Sequence, residues 1–206
     1  MIEWYKLFLQ QLLDTPLLQW IGVAFGVFEV VLAKANKIGL YPCGIISILI
    51  TLYVLYEAGL YAEILLNLYY LVMSIYGWYY WIRKPNNHDV PITTSTSNDW
   101  LICIAMLVIG FPLLYLSLVK FTDSVVPICD AWVSITAWIG MWLLAKRKIE
   151  NWIWLNCSNA FAIPLFIYKG LLLYALLTLF LFVLAIFGYI SWKKKLRQTQ
   201  HMAGTV

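Results

Sequence analysis

Polar side chains are scarce in this chain, and those that recur at helical spacing are the ones equipped to hold a solute. Trp152, Asn156 and Asn159 stand at i, i+4 and i+7, on one face of a helix. An indole beside two amides suits a ligand with a flat ring and several hydroxyls or an amide, because asparagine both donates and accepts. A second stripe holds Glu63, Asn67, Tyr70 and Ser74 at i, i+4, i+7 and i+11. It runs into the aromatic segment Tyr76-Gly77-Trp78-Tyr79-Tyr80-Trp81. Asn67 is the candidate for a further amide contact. Tyr70 binds or packs, and Glu63, near a span end, meets ligand or solvent. Glu29 and Asp130 could counter a cationic ligand, or be satisfied packing and interfacial carboxylates. Aromatic faces together with carboxylates favour an organic cation, through ring quadrupole and charge.

Other chemistries lack their residues. Hydrolysis or acyl transfer needs a nucleophile with a base, or a metal site. The two histidines, His88 and His201, lie in a polar loop and in the basic tail. Cys43, Cys103, Cys129 and Cys157 share no metal-ligand spacing and read as small buried hydrophobes. An enzyme is therefore not expected, nor a metal, a cofactor or a nucleic-acid partner.

The elements that position these stripes follow from composition. Mean hydropathy is +0.81 and only 12% of residues are charged, against about 25% in soluble domains. The natural solvent is the bilayer. A spanning helix needs about 20 mostly apolar residues. Seven stretches qualify: 16–33, 40–56, 60–82, 100–119, 127–145, 152–168 and 171–192. Residues 1–15 read as an amphipathic helix in the interface. The first apolar run has no basic region ahead of it and reads as part of the body, not a cleaved leader. Trp4, Trp20, Tyr41, Trp81, Trp100, Trp152 and Trp192 fall at span ends, as an aromatic belt predicts. Residues 83–99 form a polar loop, Pro112 predicts a kink in the fourth span, and 193–206 form a basic tail. With seven spans, eleven of the fourteen Lys and Arg fall on one side and three (Lys6, Lys120 and Lys169) on the other. The positive-inside rule then places the N-terminus outside and the C-terminus in the cytoplasm.

The chain also repeats itself at an offset of 111. Lys37-Ile38 aligns with Lys148-Ile149, Ser47 with Ser158 and Gly59-Leu60 with Gly170-Leu171; Ile75, Gly77 and Trp81 align with Ile186, Gly188 and Trp192. Both units carry basic residues at the same end. The expected plan is an all-α membrane protein with a first three-helix repeat (16–82), a linker span (100–119) and a parallel second repeat (127–192). That plan belongs to transporters that bind solute near the midplane between repeats.

These segments resemble the PnuC-type nicotinamide riboside transporter family. The likeness rests on Gly59-Leu60-Tyr61-Ala62, on Tyr76-Gly77-Trp78-Tyr79 with Trp81, on Asp130, and on Glu150-Asn151-Trp152 with Asn159. It covers about residues 17–195. It implies a SWEET-like fold, a homotrimer with one path per protomer, and facilitated diffusion of an unphosphorylated vitamin precursor that a separate cytoplasmic kinase then traps. Members of the broader family carry thiamine or riboflavin instead. Riboside carriers often have Gln where this chain has Asn67, and the tryptophan after Trp152 stands here at Trp154, two residues on. The expectation is a facilitative inner-membrane importer of nicotinamide riboside, with thiamine or riboflavin as the alternative solutes. A non-transporting sensor or a membrane enzyme is the distant alternative.

Overall fold

The computed structural model describes residues 2–83, 91–122 and 124–203. Lys84 and His88, and the side chains of Trp4, Tyr61, Ala62 and His201, lie outside the described residues. Described secondary structure is helical apart from one isolated bridge, Thr93 to Lys148. The helices are α1 (Ile2–Asp14), α2 (Leu17–Lys34), α3 (Leu40–Glu57), α4 (Tyr61–Ile82), α5 (Ser97–Ala105), α6 (Phe111–Phe121), α7 (Pro127–Ala145), α8 (Asn151–Tyr168) and α9 (Leu172–Ala203).

Six of them close into a ring. Each of α2, α3, α4, α7, α8 and α9 packs on the next, and α9 returns to α2. The α5–α6 rod stands outside the ring, against α7 and α4, and α1 lies on α9. Large apolar side chains are exposed around the assembly, among them Leu17 at 76%, Val108 at 65% and Phe121 at 73%. Lipid is the solvent that suits such a surface. Five helical stretches are long and apolar enough to cross a membrane: α2, α3, the α5–α6 rod, α7 and α9. α4 and α8 have the length, 22 and 18 residues. Their asparagines, tyrosines and tryptophans lower the mean hydropathy, and these are the two helices that carry the polar stripes.

Local chemistry explains the boundaries. Thr96 caps α5 in a reciprocal box with Asp99, so the polar loop ends at Thr96 and not at Asp99. Pro112 lacks an N–H, which removes one helical hydrogen bond, and a π turn at Met106–Gly110 precedes it. Gly59 and Gly170 each end a helix at φ +72, a conformation a side chain resists. α9 does not stop at Trp192; the basic tail continues as helix to Ala203.

The ring is tied at its basic end by a core of aromatic residues. The Trp81 indole donates to the Ala145 carbonyl at 3.2 Å, and the Trp192 indole to the Ala33 carbonyl at 2.8 Å. Tyr41 meets Trp81 edge-on at 5.3 Å and Trp152 meets Trp192 edge-on at 5.7 Å. Gly77 and Gly188 admit the rings of Tyr41 and Trp152; a Cβ on either would fall within 2.7 Å of ring carbons. Ser47 donates to the Gly22 carbonyl and Ser158 to the Val133 carbonyl, both at 2.8 Å. Every one of these contacts occurs twice, about 111 residues apart.

Candidate functional site

At the end opposite the basic core, α4, α6, α7 and the α8–α9 turn enclose a cavity of about 630 Å³. Ligand sites commonly hold about 300–1,000 Å³. Glu63, Asp130, Ser134 and Lys169 line it, with Leu60, Leu66, Leu118 and Phe121 as apolar wall. Asp130 accepts from the Lys169 ammonium at 2.6 and 2.8 Å, and Ser124 donates to the same carboxylate. Both partners are mostly buried, with side chains 22% and 17% exposed for Lys169 and Asp130. The pair is thus drawn in from solvent and leaves Glu63 as the other acid of the cavity among the described residues.

The α8–α9 turn is held from outside the ring. Gln11 of α1 donates to the Gly170 carbonyl at 2.6 Å, and its side-chain oxygen accepts from the Leu173 amide at 3.2 Å. The interfacial helix therefore clamps the turn that carries Lys169.

Deeper on the same seam, Tyr69 of α4 stacks on Trp138 of α7 at 4.3 Å, nearly parallel, and its hydroxyl donates to the Trp138 carbonyl at 3.0 Å. Tyr70 packs edge-on against Tyr69 at 6.2 Å. The Asn67 amide donates to the Glu63 carbonyl one turn back, at 2.9 Å, which leaves its oxygen for another donor. Asn156 and Asn159 are partly buried on α8. The Asn156 side-chain oxygen is buried with no hydrogen-bond partner. An orphaned acceptor costs about 1–3 kcal/mol, and a ligand donor would relieve it.

The structure thus brings Glu63 and Asp130 into one cavity and hangs Asn67 and Tyr70 below it on the same helix. Asn156 and Asn159 are not among the described residues that line this cavity. Trp152 lies elsewhere, 2% exposed in the basic-end core against Trp192. Its neighbours in the Glu-Asn-Trp motif serve the fold there: Glu150 accepts from the Ser95 amide and hydroxyl, and Asn151 donates to the Lys148 carbonyl. Sequence reasoning missed Ser134, Lys169 and the Tyr69–Trp138 stack. The offset of 39 between Asp130 and Lys169 follows no helical period, so only folding reveals their pairing.

A family model described as nicotinamide mononucleotide transporter matches residues 16–194. The nicotinamide riboside transporter PnuC of Escherichia coli strain K12 is 21% identical over 214 residues, with 90% of this chain and 88% of that protein covered. The protein of the same description from Neisseria mucosa is 25% identical over 191 residues, covering 86% and 72%. A crystal structure of the vitamin B3 transporter PnuC shares the fold, with a TM-score of 0.73 and 22% identity, over 95% of this chain and 88% of that one.

Proposed function

This chain belongs to the nicotinamide mononucleotide transporter family, as a PnuC-type member and not an enzyme, and on that footing we propose that it imports nicotinamide riboside by facilitated diffusion. The observation that carries the proposal is the seam between α4 and α7. Two carboxylates, Glu63 and Asp130, stand at its mouth, and aromatic and amide side chains lie below. That order suits a solute with a positively charged aromatic ring and a hydroxyl-rich sugar.

In this reading seven spans cross the bacterial cytoplasmic membrane: two parallel three-helix units, α2–α4 and α7–α9, joined by the α5–α6 rod, with the N-terminus outside. The doubled contacts support it. So do two pairs of equivalent residues that touch each other, Asn36 with Arg147 and Trp81 with Trp192. Equivalent residues can meet only astride the axis that relates the halves. Both pairs sit at the basic end, which favours an axis along the helices over one across them. The halves then rock about a midplane site to expose it to either side. Protomers assemble as a homotrimer, and a cytoplasmic kinase draws net import by phosphorylating the solute.

Parallel melting curves of the purified protein with nicotinamide riboside, thiamine and riboflavin test the substrate. A ligand that binds only the folded protein raises Tm. Nicotinamide riboside is expected to give the largest rise; a larger rise with thiamine or riboflavin would reassign the solute.

A further inference from the structure

The second seam, between α2 and α9, carries a cavity of its own. It holds about 380 Å³ between α2, α3 and α9. Its wall includes Gln19, Gly22, Gly26 and Glu29, which share one face of α2. From Gln19 to Glu29 it runs about 15 Å along the helix, at about 1.5 Å per residue. Its other polar groups are Ser47, Thr51 and Tyr174. Ser47 and Thr51 already donate to backbone carbonyls. Glu29 makes no hydrogen bond or ion pair among the described residues, and no Lys or Arg among them lines this cavity.

Packing does not require an acid there. The Glu29 carboxylate lies against Gly44, so close that a Cβ on Gly44 would fall 2.6 Å from it. In the other half the equivalent residues are Gly140 and Leu155, and there leucine fills the space over glycine, at 2.7 Å from where a Cβ would be. The same helix crossing is thus satisfied by an apolar pair. A carboxylate kept in a spanning helix without a partner is costly and marks a functional position.

We infer that this cavity is a second binding site for an organic monocation, with Glu29 as its counter-charge. A hard inorganic cation needs several oxygen ligands; this wall is mostly valine, leucine and isoleucine around one carboxylate, which suits an apolar body with one positive charge. The inference rests on the proposed function only for the choice of probe and for the equivalent expected at the central site.

Equilibrium dialysis of the full chain in phosphatidylglycerol nanodiscs, which offer no headgroup amine, tests it with labelled 1-methylnicotinamide, a permanent cation, and nicotinamide, its neutral counterpart. The native protein is expected to bind two equivalents of the cation, and Glu29→Gln one. Thr51→Trp, which fills the cavity without touching the acid, should also bind one and covers the case in which Glu29→Gln fails to fold. Asn159→Ala should lose the other equivalent, so its failure to do so counts against the central site and not this one. Two equivalents retained in Thr51→Trp or in folded Glu29→Gln, or equal binding of the neutral compound to the Glu29-dependent site, would overturn the inference.

Discussion

Asn36 and Arg147, 111 residues apart, hold each other: the Arg147 guanidinium donates to the Asn36 side-chain oxygen at 2.6 Å. Asn36 follows α2 and Arg147 follows α7, each in a left-handed conformation, at φ 59 and φ 56. Arg147 is 4% exposed and lies over the Trp81 ring, 4.0 Å from its centre. The turn after α2 is thus built against the turn after α7, its equivalent at the 111-residue offset.

This pairing requires both turns to share one side of the membrane. Single cysteines replacing Lys34 and Lys146 should react with an impermeant maleimide from the same side of sealed vesicles. Labelling from opposite sides would remove the parallel arrangement.

The two indole-to-carbonyl bonds should hold the ring without touching solute. Trp192→Phe removes a hydrogen bond worth about 0.5–1.5 kcal/mol and weakens an aromatic contact of similar size. The expected loss is about 1–3 kcal/mol, read as a lower Tm with solute affinity unchanged. Trp81→Phe should behave alike, as its indole makes the matching bond. Unequal effects on affinity would show that only one of the two serves the fold alone.

The Asp130–Lys169 pair sets the charge of the cavity mouth. Lys169→Met frees the carboxylate and should lower the apparent KM for a cationic solute by up to about fivefold, since partly exposed pairs contribute about 0–1 kcal/mol. Asp130→Asn should raise it. Initial uptake rates against concentration in low salt provide the check, and a KM that moves the same way in both variants contradicts the assignment.

Asn156 separates strain from binding. Its orphaned acceptor predicts that Asn156→Leu raises Tm of the empty protein while uptake falls at least several-fold. A variant stabilised and fully active would mean that the amide is not used by the solute.

Much of this was legible in the residues. Gly77, Trp81 and Ser47 align with Gly188, Trp192 and Ser158 because each pair makes the same contact, so identity survives where geometry demands it. The helical class followed from apolarity, although α4 and α8 read weakly because site-bearing helices dilute their own hydropathy. The cavity was harder to see. Glu63, which could have faced solvent alone, lines it with Asp130, while the clamp from Gln11 and the Lys169 counter-charge join segments whose separation no period encodes. Trp152, grouped with Asn156 by helical spacing, instead packs on α9, because an indole one turn nearer the basic end meets Gly188 and Trp192.

Uptake by the purified protein in liposomes tests the central claim most directly. Labelled nicotinamide riboside should enter until inside and outside concentrations match, at a rate indifferent to an imposed proton or sodium gradient, and Asn159→Ala should slow it without loss of folded protein. Absence of uptake, or accumulation that follows either gradient, would contradict the account.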